Sequence, residues 1–303
     1  MPSYTYEKCL ENSYKVNWRI EDVIGGQQFD TSRRWLPAQL SGADAIGCLN
    51  DEEKTKLTHV EMGAYAHLFG FVEEFITPTI LRLAGDREVD ERPAFDALTN
   101  FAAEEVKHMT LFREVRALVD DAIGFPAIRL GDEAAVAHAV MSKHIGAVLL
   151  LVSVIEWFTQ QHYLSGFKDD ESLDPFTRAI FKAHWQEESQ HAQLDYLETV
   201  RKFETMTAEE KDQAIDDLID LVGAVDGLLQ QQTAHDVDNL ARYLDRSFTE
   251  AEQEEVTASV LKAKRYTFIE SGVTHPNFQE VFTEVTTEAQ REKVGAALAS
   301  LLG

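Results

Sequence analysis

The chain has 303 residues, and 44% of them are hydrophobic, so it can bury a sizeable core. Its 28 Lys and Arg residues against 53 Asp and Glu residues give a formal net charge of −25 at pH 7. This balance excludes the basic surface of a nucleic-acid-binding protein, and an anionic membrane would repel it. Cys9 and Cys48 are too few for a disulfide framework. We therefore expect a cytoplasmic protein that binds neither nucleic acid nor membranes.

The predicted elements are helices. Glycine and proline are sparse, apolar residues recur with helical spacing, and no segment shows convincing strand alternation. An N-terminal arm of about fifty residues comes first, and four long helices follow at about 52–83, 93–121, 132–165 and 173–203. The third contains the run "IGAVLLLVSVIEWF", which is too short to span a bilayer and indicates a helix buried inside a bundle.

More helices follow in a C-terminal extension at about 207–303. Capping boxes, in which a Thr is followed three residues later by Glu or Gln, predict three helix starts. The pairs are Thr207 with Glu210, Thr249 with Glu252, and Thr287 with Gln290. Because no linker separates these parts, we predict one all-α domain over 1–303, with a ferritin-like four-helix bundle as its metal-binding core at about 52–203.

An internal repeat relates the first pair of long helices to the second. "VEEFIT" (72–77) aligns with "VIEWFT" (154–159), which pairs Glu74 with Glu156 at an offset of 82 (156 − 74). "AAEEVKH" (102–108) aligns with "WQEESQH" (185–191), which pairs Glu105 with Glu188 at an offset of 83 (188 − 105). The near-equal offsets indicate two helix pairs related by a pseudo-two-fold axis.

Each repeat places a Glu on its first helix and a Glu-x-x-His on its second. Residues three apart lie on the same side of a helix, so this Glu and His can bind one ion. A Glu from each of two helices plus a Glu-x-x-His from each of two others is the pattern of ferritin-like dimetal carboxylate proteins. Four glutamates would balance two divalent ions in a low-dielectric interior. The predicted metal ligands are Glu74, Glu105, His108, Glu156, Glu188 and His191.

His184 is a further candidate ligand. It lies four residues before Glu188 and seven before His191, so all three share one helix face. Its counterpart in the first repeat is Phe101, and it would therefore give one metal position an additional histidine. The alternative is a buried histidine that is hydrogen-bonded beside the site.

Three other acidic or histidine residues are weaker candidates. Glu73 is the alternative to Glu74, which the alignment favours because Ile155 stands at the position equivalent to Glu73. His67 lies seven residues before Glu74 on the same face and could support a ligand or contact substrate. Asp195 could orient a ligand histidine, although the sequence favours a plain surface acid.

The whole pattern, Glu74, Glu105-x-x-His108, Glu156 and His184-x-x-x-Glu188-x-x-His191, resembles the AurF-type p-aminobenzoate N-oxygenases, a family of ferritin-like di-iron oxygenases. The resemblance covers about 52–203. It implies that His184 is a third histidine ligand and that the cofactor is two iron ions, with manganese or a mixed pair as the alternative. It also implies O₂ as co-substrate, monooxygenation of a small amine, an external electron donor and a homodimer.

Other functions remain open at this stage. A ferritin-like hydroxylase or desaturase would carry the same metal site, because the substrate decides the reaction. Iron storage is disfavoured by the long additional helices. A radical-generating reductase subunit would have a tyrosine where this chain has Phe112. A non-catalytic metal-binding or helical interaction protein is the last alternative.

Overall fold

The computed structural model describes residues 4–88 and 90–302, and within these ranges the chain forms helices and no β-strand. An isolated bridge pairs Arg34 with Leu173. The all-α prediction is therefore confirmed. The helices of eight or more residues are α1 Tyr6–Val16, α2 Asp51–Gly85, α3 Arg92–Ile123, α4 Glu133–Met141, α5 Ile145–His162, α6 Pro175–Glu204, α7 Ala208–Leu244, α8 Glu250–Arg265, α9 Pro276–Val285 and α10 Glu288–Leu302.

The helices that carry the repeat pack as two pairs. Helix α2 lies against α3, and α5 lies against α6. Helix α1 covers α3 and α6, while α7 packs on α2 and α5. The apolar run of α5 is buried almost throughout, as the sequence predicts. No described helix has both the length and the apolar character needed to cross a bilayer. The Glu and His residues of the two Glu-x-x-His motifs are buried in the interior of this bundle.

Local signals explain where these helices begin and end. Helix α2 starts at a capping box in which Asn50 and Glu53 bond each other's backbone N–H. Helix α6 starts at Asp174, whose side chain accepts from the N–H of Phe176, and α3 ends at Gly124 with φ 85°. The first, second and fourth predicted helices agree with the structure within two residues at each end. The three predicted capping boxes are present.

The prediction of one unbroken helix over 132–165 was wrong. The chain breaks between α4 and α5, and a π-helical turn, Tyr163–Phe167, follows α5. At the break, the backbone N–H of His144 donates to a carboxylate oxygen of Asp217 on α7 (2.8 Å), and Lys143 pairs with the same carboxylate. The partner that fixes this break lies 73 residues later in the chain, so the local sequence does not reveal it.

A buried ion cluster holds α8 to the bundle. Lys264 is 2% exposed, and its ammonium contacts Glu61 on α2 and Asp236 on α7. Burial raises the pKa of Glu61 to about 8, with Lys264 opposing the rise and Asp236 reinforcing it. The Lys264 ammonium thus joins α2, α7 and α8 through its contacts with Glu61 and Asp236.

Candidate metal centre

Ligand-type side chains from α2, α3 and α6 converge in the bundle interior. They form two overlapping sets, and within each set four potential ligand atoms lie within 4.8 Å of one another. Every member is buried, and His108 and Glu188 belong to both sets, so the two sets describe adjacent ion positions. The sets are Glu73, His108, His184 and Glu188, and Glu105, His108, Glu188 and His191.

Glu156 borders the same space from α5. Together with Glu73, Glu105 and Glu188 it lines a cavity of about 10 Å³. Its side chain is 2% exposed, and its Oε2 has no hydrogen-bond partner in the described residues. The structure therefore brings a carboxylate from each of the four core helices to one point.

Of the two candidate glutamates on α2, the structure places Glu73 and not Glu74 in the cluster. Glu73 is 2% exposed and lies in the cluster, whereas Glu74 is only half-buried and is not part of it. Neighbouring helical residues point about 100° apart, so only one of them can face the interior. The sequence contains the sign: Glu156 lies 83 positions after Glu73 (156 − 73), which is the offset of the Glu-x-x-His motifs.

His67 is not in the cluster. One ring nitrogen lies 2.9 Å from the carbonyl oxygen of Leu130, and the other lies 2.6 Å from a guanidinium nitrogen of Arg116. His67 lies six residues before Glu73, a spacing that places it about 120° away from Glu73 around the helix axis. His67 is a buried, hydrogen-bonded histidine.

Two of the clustered histidines are oriented by carboxylates from the opposite repeat. His108 has its Nε2 2.9 Å from Glu187 and its Nδ1 3.0 Å from Glu188. His191 has its Nε2 2.9 Å from Glu104 and its Nδ1 2.8 Å from Glu188. When each Nε2–H donates to its outer carboxylate, the lone pair of Nδ1 faces the interior. Both rings are thus prepared to bind a cation through Nδ1.

Sequence analysis missed these outer carboxylates. Glu104 accepts from the hydroxyl of Ser13 on α1, and Glu187 pairs with Lys107. Both are buried, and they are related by the repeat offset of 83 (187 − 104). The shared motif is therefore Glu-Glu-x-x-His. The pair of adjacent glutamates occurs in both repeat segments and could have identified Glu104 and Glu187 from the sequence.

Aromatic rings enclose the cluster. Phe101 stacks on His191 with ring centroids 3.8 Å apart. Phe69 and Phe112 pack against His184 in T-shaped arrangements, at centroid distances of 5.1 and 4.8 Å. Such a shell excludes water and strengthens every charge interaction inside it.

Unpaired lone pairs show that the cluster suits a cation. Among the described residues, both oxygens of Glu73 and both ring nitrogens of His184 lack a hydrogen-bond partner. Nε2 of His184 approaches Oε1 of Glu188 to 2.5 Å without the direction of a hydrogen bond. Buried polar atoms without partners are costly, and a metal ion would satisfy them together. Carboxylate and imidazole donors fit iron and manganese.

The electrostatics of the cluster favour the same interpretation. Burial raises the pKa of Glu73 and Glu156 well above the usual range. Burial opposes ionisation of Glu188 as well, but the three histidines hold its pKa well below the usual range. Glu188 in turn raises the pKa of His108 and His191 against the effect of burial. Without metal, protons on the glutamates and histidines balance the charges of the cluster. Metal ions would displace these protons.

Asp195 is buried, so the expectation of a surface acid was wrong. It is 0% exposed, and its carboxylate oxygens have no partner in the described residues. Its position four residues after His191 and seven after Glu188 places it on their helix face. Burial raises its pKa well above the usual range. Burial therefore disfavours a negative charge on Asp195.

Comparison with known proteins gives one family. A family model described as p-aminobenzoate N-oxygenase AurF matches residues 7–229. No protein of curated function matches the chain significantly.

Solved structures that match include a mutant R2-like ligand-binding oxidase with an aerobically reconstituted Mn/Fe cofactor. It is 15% identical, the match covers 87% of this chain and 93% of that one, and the TM-score is 0.46. An R2-like ligand-binding oxidase with an aerobically reconstituted Mn/Fe cofactor after a long soak also matches. It is 16% identical, the match covers 87% of this chain and 92% of that one, and the TM-score is 0.44.

Proposed function

The chain belongs to the p-aminobenzoate N-oxygenase AurF family of O₂-dependent dimetal oxidoreductases, and from this premise we propose that it N-oxygenates a small amine. The observation that carries the proposal is the third buried histidine, His184, which lies in the cluster with Glu73 and Glu188. It makes the two ion positions unequal, although the remaining ligands follow the repeat.

We assign the cofactor to two iron ions, with manganese in one or both positions as the alternative. The ligands would be Glu73, Glu105, His108, Glu156, His184, Glu188 and His191. When bound, the metal pair supplies O₂ activation. The chain contributes the orientation of the histidines through Glu104 and Glu187, and the dry interior that strengthens these contacts.

The proposed reaction balances as a monooxygenation. One atom of O₂ becomes bonded to the amine nitrogen to give a hydroxylamine, and the other atom leaves as water. Two electrons come from the amine, and an external donor supplies the other two with two protons. The proposal therefore includes a reductase or small reductant as partner, and a homodimer as the assembly that the family resemblance implies.

Metal analysis tests the site. Purified protein should contain about two transition-metal ions per chain by mass spectrometry of the digested sample. The double variant Glu105→Gln, Glu188→Gln should lose most of them, and Glu114→Gln, which changes an exposed acid on α3, should keep them. A folded wild-type protein without transition metal would overturn the assignment.

Isotope labelling tests the reaction. The reduced, iron-loaded protein is mixed with ¹⁸O₂ and a panel of aryl and alkyl amines, and the products are analysed by mass spectrometry. A hydroxylamine carrying one ¹⁸O atom supports N-oxygenation. Label on carbon, or an unsaturated product without label, would replace it with hydroxylation or desaturation.

A further inference from the structure

A second cavity lies beside the carboxylates, among α2, α4, α5 and α7. Its volume is about 70 Å³, and each of its lining residues is Leu, Ile, Val, Phe or Ala. Its lining includes Phe71 and Phe75 of α2 and Leu151 of α5. An apolar cavity of this kind contains no group that could hold an ordered water or an ion.

This cavity adjoins the small space among the glutamates at the metal centre. Val72 and Ile155 line both it and the small space among the glutamates. Each directly precedes a proposed ligand, Glu73 or Glu156. At the other end the lining includes Ala224, which is exposed, and Val225, which is half-buried. The lining of the cavity thus extends from residues near the surface of α7 to the neighbours of two proposed ligands.

We propose that this apolar cavity seats the non-reacting part of the substrate, and that this part is a slim, uncharged hydrocarbon chain. The inference rests on the proposed function, because the amine must reach the metal centre. An ionised group on the chain would lose its water with no partner among the lining residues, at large cost. The volume is about half of the roughly 150 Å³ cavity that accepts benzene, so the cavity is too small for a ring and seats only a narrow segment of a chain.

The apolar lining distinguishes this cavity from a binding site for a substrate with a carboxylate. A substrate acid would require a cation or several N–H donors at the far end of the cavity. The lining residues that the structure describes include neither an Arg nor a Lys. Selectivity would therefore come from exclusion of charge and from the width of the channel.

Matched amines test the proposal by binding, without turnover. Heptylamine and 6-aminohexanoate have the same amine and nearly the same length, and they differ in an ethyl group against a carboxylate. Calorimetric titration into the purified metal-loaded protein should show heptylamine binding at least about tenfold more tightly, with a negative heat-capacity change. Equal affinities, or tighter binding of 6-aminohexanoate, would overturn the proposal.

Variants locate the binding. Val225→Lys places an ammonium at the mouth and should reduce the preference for heptylamine at least about fivefold, whereas Gln231→Lys on the exposed side of α7 should leave it unchanged. Should Val225→Lys fail to fold, Ala224→Trp narrows the mouth from an exposed position and should weaken heptylamine binding. An unchanged affinity in Ala224→Trp would contradict the cavity as the site.

The two proposals fail separately. Selective, cavity-dependent binding of heptylamine without an ¹⁸O-labelled product from any amine would retain the cavity and remove N-oxygenation. A labelled hydroxylamine formed equally well from both amines would retain N-oxygenation and remove the cavity's role.

Discussion

Glu73 and its neighbour Glu74 offer a matched pair at the residue scale. Both are glutamates on the same turn of α2, but only Glu73 reaches the cluster. Glu73→Gln should remove one charge and weaken one ion position, so metal content should fall from about two ions per chain towards one. Glu74→Gln should retain both ions. Equal metal content in the two variants, measured on digested protein, would show that Glu73 is not a ligand.

Glu104 should act through His191 and not by touching metal. Its carboxylate lies 2.9 Å from His191 Nε2, so Glu104→Ala should weaken metal binding by about 10–100-fold. Glu104→Gln should recover part of the affinity, because its amide oxygen can still accept from Nε2–H. The affinity is measured by competition with a chelator at fixed pH, with the exposed Glu114→Ala as control. If Glu104→Gln lost as much metal affinity as Glu104→Ala, the charge of Glu104 and not its hydrogen bond to His191 would account for the effect.

The duplicated helix pair is the element-scale feature that the sequence predicts best. Periodicity and capping identify α2, α3 and α6 within two residues, since these helices depend on their own residues. The break before α5 depends on Asp217, a tertiary partner that local sequence does not reveal. The same distinction holds at the site. Glu-x-x-His spacing identified His108 and His191, but Glu73 and Glu104 required the repeat offset to be applied strictly.

Lys264 provides a test of how the C-terminal helices are attached. Lys264→Met removes the ammonium and leaves Asp236 without its buried partner, so the free energy of unfolding should fall by about 3–5 kcal/mol. The control Lys262→Met changes an exposed lysine of the same helix and should change stability by less than about 0.5 kcal/mol. Denaturant unfolding followed by circular dichroism measures both. Similar losses in the two variants would contradict a role for the buried charge.

At the scale of the whole molecule, buried neutral histidines link stability to pH. Burial lowers the pKa of His59 to about 4 and that of His162 to about 3. His162 lies between the hydroxyl groups of Tyr65 (2.6 Å) and Ser271 (2.9 Å). Ser271 donates onwards to the carbonyl of Thr267, so His162 donates through Nε2 and accepts from Tyr65. In this series of hydrogen bonds both ring nitrogens of His162 are already engaged, so the ring cannot take a second proton without losing the bond from Tyr65.

The sign of the pH dependence follows from these depressed values. In the unfolded chain a histidine titrates near about 6.5, so below that pH the unfolded state binds more protons than the folded state. The stability is therefore full above pH 6.5 and falls as the pH decreases towards 4, by up to about 1.4 kcal/mol per pH unit for each histidine. His162→Gln should reduce the slope of unfolding free energy against pH by the contribution of about one proton. The exposed His138→Gln should leave the slope unchanged. Denaturant unfolding from pH 7 to pH 4, at matched metal content, gives the slopes. A variant His162→Gln with the wild-type slope would show that another group responds to acid.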